Sequence, residues 1–246
     1  MKRLRWQILL GLSLIALSAF LYLIHYEVFR DSHHIFIYLI GDVAFLPIEV
    51  LFVTLIIHRL LSEREKRTRL EKLNMVIGAF FSEVGTRLLR SFSLFDPHCN
   101  NIREALIVGK EWTKKEFISV GKLIKNHDCE VEVQKEDLEV LRSFLTEKMD
   151  FLLRLLENPN LLEHETFTDL LQAVFHMAQE LFHREDIRQL PDTDYEHLVG
   201  DIKRVYTLLI HEWLNYMKHL KDNYPYFFSL AMRTNPFDQK ASPVVK

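Results

Sequence analysis

Two apolar stretches near the N-terminus place the strongest constraint on how this chain folds. Residues Ile8–Ile24 contain no charged side chain, and Ile35–Ile57 contains only Asp42 and Glu49. A helix needs about 20 predominantly apolar residues to cross a hydrocarbon core about 30 Å thick. We therefore predict a transmembrane hairpin in residues 1–60, with spans at about 7–25 and 35–57.

The first stretch is predicted to remain as a span and not to be removed as a signal peptide. Its apolar run is long for the central region of a signal peptide, and the bulky sequence that follows Ile24 offers no small-residue cleavage site. The basic residues near the two spans indicate their orientation. The connecting loop holds only Arg30, whereas a basic cluster precedes the first span and a second one follows the other span: Lys2, Arg3, Arg5, and Arg59, Arg64, Lys66, Arg67, Arg69, Lys72. Because basic residues favour the cytoplasmic side, we expect an inner-membrane protein with both termini in the cytoplasm.

The remainder of the chain has the pattern of an all-α domain. Only 7 glycines occur in 246 residues, and apolar side chains recur at helical spacing. We predict an amphipathic linking helix over residues 61–95, a cytoplasmic helical bundle over 96–234 and a flexible tail over 235–246. In the linking helix apolar residues recur at spacings of three and four from Leu70 to Val84. Leu88 lies one position later than this repeat predicts.

Capping signals and apolar stripes define the helices of the predicted bundle. Thr113 with Glu116, and Thr193 with Glu196, match the capping box that begins a helix. The first box predicts a helix to about residue 125, and the second predicts one to about 222. Between them we expect helices over residues 135–157 and 165–185, and after them a short aromatic helix from about Tyr224.

The two acidic residues of the second apolar stretch form a candidate intramembrane polar site. Asp42 and Glu49 are two helical turns apart and therefore share a face, with Pro47 between them. In an antiparallel hairpin Asp42 is level with about Ser18, and Glu49 is level with the segment that ends at Ser13. An ionisable residue at this depth costs about 2.5–3.5 kcal/mol of membrane-insertion free energy, so we expect such a residue to have a function. The site either holds the hairpin or an oligomer together or lines a proton or cation pathway.

Two groups of metal-ligand residues occur in the bundle, and we predict a metal at neither. His176, Glu180 and His183 include the E-x-x-H spacing of di-iron bundles, but they lie opposite the apolar stripe of their helix and have no second such motif. That face is interpreted as solvated or as a contact with another subunit. The residues His98, Cys99, His127 and Cys129 provide Cys₂His₂ donors, although their close pairing is strained for tetrahedral binding.

Several functional classes are excluded by what the sequence lacks. It contains no P-loop, G-x-S-x-G, H-E-x-x-H or G-x-G-x-x-G motif. A loop of ten residues between the spans cannot hold a potassium-channel filter. The net charge of −3 argues against a nucleic-acid partner. Because both cysteines are predicted in the cytoplasm, we expect no disulfide.

Segments spread over nearly the whole chain resemble one protein family. These are Gly41–Glu49, Phe151–Glu165, Phe175-His176, Gly200–Arg204, Tyr216–Leu220 and Ala231–Pro236. They resemble an uncharacterised prokaryotic family of two-span membrane proteins with a cytoplasmic helical domain. The resemblance implies no activity and no catalytic residue.

The sequence favours a non-enzymatic, membrane-anchored interaction or sensory protein without a cofactor. We expect it to contact the lipid bilayer, to form a homo-oligomer through the spans and the linking helix, and to bind a cytoplasmic protein partner. One alternative is a small oligomeric channel or proton-linked transporter that uses Asp42 and Glu49. A second alternative is a metalloenzyme built on the bundle.

Overall fold

The computed structural model describes residues 2–127 and 129–245, and within them the fold is entirely helical. The all-α class predicted from the sequence is confirmed. The chain divides into two compact units, Met1–Glu65 and Lys66–Lys246. Helix α2 contributes residues to both units.

The first unit contains two long apolar helices, α1 (Lys2–Phe29) and the first part of α2 (Ser32–Phe80). Between them Arg30 adopts a left-handed conformation with φ 51°, and its N–H donates to the carbonyl of Tyr26. The segments Leu9–Phe29 and Ile35–Glu65 are each long and apolar enough to cross a membrane, and their side chains are exposed. This length and composition are compatible with membrane spans. Pro47 lies inside α2, which continues through it.

The second unit is a helical bundle in which α8 contacts several other helices. After α2 come a π-helical turn, Phe81–Gly85, and the helices α3 (Thr86–Phe95), α4 (Asn100–Arg103), α5 (Lys114–Lys125), α6 (Lys135–Leu156), α7 (Glu165–Phe182), α8 (Asp192–Asn223) and α9 (Pro225–Arg233). Helix α8 packs against α3, α5, α7 and α9, and α6 packs against α7.

One predicted capping box is present and the other is not. At the start of α5, the Lys115 N–H donates to Oγ1 of Thr113 over 3.2 Å, and the Thr113 N–H donates to Glu116 over 2.6 Å. Helix α8 instead begins at Asp192, directly after Pro191, without a side-chain cap. Thr193 is therefore already helical and cannot cap the helix. The acidic residues of this first turn stabilise the helix instead, because they interact favourably with the positive end of its dipole.

From Leu73 onward, the segment predicted as a linking helix contributes to the core of the second unit. Phe80, Val84, Leu88 and Phe92 are all buried. The π-helical turn gives the physical reason for the displaced position of Leu88, because a π turn contains an extra residue and shifts the apolar face. Gly85 permits this turn, since a Cβ atom there would lie 2.6 Å from the ring of Phe81.

The predicted flexible tail begins with a packed segment, which corrects the expectation for residues 235–237. Asn235 is buried, its Nδ2 donates to the carbonyl of Leu106 over 2.8 Å, and its Oδ1 accepts from the N–H of Phe237 over 2.9 Å. The ring of Phe237 packs edge-on against Trp213, with centroids 5.2 Å apart. The segment lacks helical periodicity because an asparagine turn, and not a helix, orders it.

Replacing Asn235 with alanine is expected to destabilise the second unit. The substitution leaves the buried carbonyl of Leu106 and the N–H of Phe237 without this partner, which costs about 1–3 kcal/mol of unfolding free energy. Thermal unfolding of the full chain, followed by tryptophan fluorescence, should show a lower Tm. The exposed residue Gln239 provides the control, and its replacement by alanine should leave Tm unchanged. Equal Tm values for the two variants would contradict the role of Asn235.

Candidate functional site

The predicted intramembrane residues are all exposed within a single chain. Asp42 and Glu49 lie on the surface of α2, and among the described residues neither has a hydrogen-bond or ion-pair partner. Ser18 is exposed on α1, and the hydroxyl of Ser13 donates to the carbonyl of Leu10 in its own helix. One chain therefore brings none of these polar groups together. Packing through the two carboxylates remains a prediction about an assembly.

The candidate Cys₂His₂ group is divided between different partners. Nε2 of His98 lies 2.9 Å from a carboxylate oxygen of Glu130 on the surface, whereas Nε2 of His127 lies 3.0 Å from Oδ2 of the buried Asp96. The ligand atoms of Asp96, His127 and Cys129 all lie within 4.8 Å of one another. Asp96, and not His98, therefore lies beside His127 and Cys129. The sequence did not indicate this, because Asp-Pro is also a common turn sequence.

This buried group is already hydrogen-bonded and holds the connector after α5 in place. Oδ1 of Asp96 accepts the N–H of His98 over 2.8 Å, so both of its carboxylate oxygens have partners. Within the described residues neither Cys99 nor Cys129 forms a disulfide, and Sγ of Cys99 lies 3.7 Å from the hydroxyl of Tyr206. Burial, together with the nearby Cys99, raises the pKa of Tyr206 far above its usual range. These contacts indicate a structural role.

The candidate set of His176, Glu180 and His183 is also rearranged. Helix α7 ends at Phe182 and not at about residue 185, so His183 caps its C-terminus and its Nδ1 donates to the carbonyl of Gln179 over 2.8 Å. His176 and Glu180 remain one turn apart on α7 and face two residues of α8, His197 and Asp201. In the folded protein His197 and Asp201 of α8, and not His183, therefore lie beside His176 and Glu180.

An apolar cavity of about 590 Å³ lies between the C-terminal turns of α2, the π-helical turn, α8 and α9. Its walls are mostly apolar and aromatic side chains with a few polar groups. They comprise Asn74, Met75, Gly78, Ala79, Phe81, Ser82, Thr86, Trp213, Tyr216, Met217, His219, Leu220, Tyr224, Phe227, Leu230, Ala231, Thr234 and Pro236.

Small residues and the π-helical turn shape this cavity. Gly78 brings α2 close to α8, since a Cβ atom at this position would lie 3.2 Å from the Tyr216 hydroxyl. The π turn directs Phe81 onto the Tyr216 ring, and the two rings stack with centroids 5.1 Å apart. Helix α9 contributes Phe227 and Leu230 to the wall, and both are exposed. Aromatic side chains from the π-helical turn, α8 and α9 therefore all line the cavity.

Two polar groups of α8 give the cavity hydrogen-bonding capacity. The Tyr216 hydroxyl has no partner among the described residues, and burial raises the pKa of Tyr216. Burial, opposed by Asp222, lowers the pKa of His219, so its ring is neutral near pH 7. The amide of Asn223 donates to Nδ1 of His219 over 3.2 Å, which assigns the ring proton to Nε2. This covered Nε2–H has no acceptor within the described part of the chain.

This cavity is not evident from the sequence, because Tyr216 continues the apolar stripe of its helix. One available signal was the aromatic run Tyr224–Phe228. A second was the pair of small residues at 78 and 79. Neither signal shows which helices pack against each other, so the cavity can be recognised only in the tertiary structure.

Comparisons with known proteins show the family of this chain. Residues 2–61 match the family model described as MJ1433, N-terminal helical domain, and residues 69–233 match the one described as Uncharacterized protein MJ1433, C-terminal helical domain. Uncharacterized protein MJ1433 of Methanocaldococcus jannaschii is 49% identical over 237 residues, which cover 96% of this chain and 95% of the relative. No solved structure matches the chain.

The family comparison agrees with the resemblance inferred from the sequence segments. The second family model begins at residue 69, which lies close to the start of the second compact unit and within the segment predicted as a linker. Both helical domains of the family match this chain. The relative is 49% identical, and the match covers nearly the full length of both proteins. The chain belongs to the uncharacterised MJ1433 family, for which no activity is known.

Proposed function

We propose that the protein is a membrane-anchored sensory or regulatory protein whose C-terminal helical domain binds a small, mainly apolar molecule. The observation that carries this proposal is the cavity built on the C-terminal turns of α2. The same helix contains the second apolar segment. A ligand that orders these turns acts directly on the helix that provides the anchor.

The apolar helices support membrane anchoring. Their exposed side chains form a continuous apolar surface, which is unfavourable in water. The basic residues beyond both apolar segments support an orientation with both termini in the cytoplasm. The exposed carboxylates of Asp42 and Glu49 support self-association, because polar groups within an apolar helix gain hydrogen-bond partners from a second copy.

The size and chemistry of the cavity support ligand binding in preference to catalysis. Its volume lies within the range of about 300–1,000 Å³ typical of small-molecule sites, and such sites combine apolar walls with a few polar groups. The described lining residues include no carboxylate, cysteine, lysine or arginine. Tyr216 and His219 can orient a hydrogen-bond acceptor of the ligand. A π-helical turn in the wall is a further feature common at functional sites.

Filling the cavity is expected to abolish binding of an apolar probe. The full chain, with Trp6 and Trp112 replaced by phenylalanine, retains only Trp213, which lines the cavity. Energy transfer from Trp213 to anilinonaphthalene sulfonate should saturate in this background. Ala79→Phe should weaken the binding at least about tenfold, which corresponds to about 1.4 kcal/mol.

A matched substitution separates cavity filling from a general effect of added aromatic surface. Ser119 is exposed on α5 and does not line the cavity. Ser119→Phe should leave the probe affinity unchanged. Transfer that fails to saturate, or equal affinities for the Ala79→Phe and Ser119→Phe variants, would contradict the proposed binding site.

The orientation proposal predicts the activity of reporter fusions in a bacterial host. Alkaline phosphatase inserted after Asp31 should be active, because this loop is proposed to lie outside the cytoplasm. The same enzyme fused after Glu65 or at the C-terminus should be inactive, while a C-terminal green fluorescent protein should fluoresce. The reverse pattern, or protein released from membranes by carbonate, would overturn this arrangement.

The self-association proposal predicts that the carboxylates of α2 stabilise an oligomer. The double substitution Asp42→Leu and Glu49→Leu should lower the mass measured by light scattering in mild detergent. Asn and Gln at the same positions should preserve the mass, because they retain hydrogen-bonding groups. Glu63→Leu on the exposed surface beyond the apolar stretch Ile35–Ile57 is the control. A monomeric wild-type protein would refute the proposal.

A further inference from the structure

Two histidines and two carboxylates from adjacent helices meet on the surface of the second unit. Helix α7 supplies His176 and Glu180, and α8 supplies His197 and Asp201. On each helix the carboxylate follows the histidine by four residues, so both side chains of a pair project from the same face. We refer to these four residues as the His–carboxylate cluster.

The ligand atoms of this cluster form a closed ring. Nε2 of His176 lies 3.9 Å from Oε1 of Glu180 and 3.9 Å from Oδ2 of Asp201. Nε2 of His197 lies 3.8 Å from Oε2 of Glu180 and 3.6 Å from the same Oδ2 of Asp201. The ligand atoms of His176, His197 and Asp201 all lie within 4.8 Å of one another.

This spacing is slightly wider than that of a tetrahedral transition-metal site. Bonds of about 2.0–2.2 Å from zinc to imidazole and carboxylate place neighbouring ligand atoms about 3.3–3.6 Å apart. Shifts of these side chains would close the ring around a cation. The backbone need not move, since two packed helices already hold all four residues.

The state of Asp201 provides an independent indication of a ligand. Its side chain is only 13% exposed, and its Oδ2 is covered and has no hydrogen-bond partner among the described residues. A buried carboxylate oxygen without a partner costs free energy that a bound cation would recover. The His176 and His197 side chains are about half exposed, which leaves a path from solvent.

The surrounding charges favour a cation. Arg184 donates to Glu180 over 2.8 Å and to Asp194 over 2.6 Å. This guanidinium holds the Glu180 carboxylate in place at the edge of the cluster. Glu180 and Asp194 share this one arginine, and Asp201 adds a third carboxylate beside the two histidines. Three carboxylates against one guanidinium leave a net negative charge.

We propose that the His–carboxylate cluster binds a divalent transition cation such as Zn²⁺. His176, His197 and Asp201 are its ligands, and Glu180, oriented by Arg184, completes the coordination. Mixed nitrogen and oxygen donors suit Zn²⁺ better than Ca²⁺ or Mg²⁺, which prefer oxygen alone. The bound cation cross-links α7 and α8. The buried Asp96 group is the weaker candidate, because both oxygens of Asp96 already have partners.

Titration of the chelator-stripped full chain with Zn²⁺ tests this site. Calorimetry should show one ion bound per chain with micromolar or tighter affinity. His176→Ala, His197→Ala and the isosteric Asp201→Asn should each weaken binding at least about tenfold, in keeping with the loss of a ligand. His183→Ala is the matched control, because His183 lies on the same helix end but outside the cluster and should not change the affinity.

Co²⁺ distinguishes the cluster from the cysteine-containing group. Nitrogen and oxygen ligands should produce visible d–d bands without the strong near-ultraviolet band of a thiolate ligand. Circular dichroism checks that each variant is folded, and folded variants with wild-type affinity would overturn the proposal. Absence of binding at about 100 µM Zn²⁺ would also overturn it, as would binding that Cys129→Ser or Asp96→Asn abolishes.

Discussion

Aromatic packing between α8 and the segment that follows the second apolar stretch holds the second unit together. Phe81 stacks on Tyr216, and Phe92 packs edge-on against Tyr206, with ring centroids 5.1 and 6.0 Å apart. Phe80 makes a similar contact with Phe167 of α7 at 5.4 Å. Burial of each such side chain contributes about 1.5–3 kcal/mol. These contacts make the end of α2, the π-helical turn and α3 parts of the core.

Both candidate sites depend on the position of α8 within this packing. Tyr216 contacts Phe81 on one face of α8 and forms a wall of the apolar cavity, while His197 and Asp201, nearer the start of α8, face α7. A ligand in the cavity contacts α2, α8 and α9, whereas a cation at the cluster joins α7 to α8. The two sites share one helix, yet they require different chemistry and can be tested separately.

Predictions from the sequence succeeded where the determining contacts are local. The capping box of Thr113 and Glu116 involves residues of one turn, and the all-α class follows from helical spacing and few glycines. The displaced Leu88 was visible in the sequence, but its cause, a π-helical turn that depends on Gly85, was not. The order of Asn235 could not be predicted from the sequence, because its partner, Leu106, is distant in the chain.

The two apolar segments, the helical class and the family resemblance could be recognised from the sequence, because these properties depend on composition and short-range periodicity. The packing of the helices, in contrast, places His176 and Glu180 beside His197 and Asp201 and not beside His183. It likewise paired His127 with Asp96 and created the cavity beside Tyr216. The physical reason is that helical periodicity specifies which residues share a face. Which faces meet depends on how the side chains of all the helices pack together.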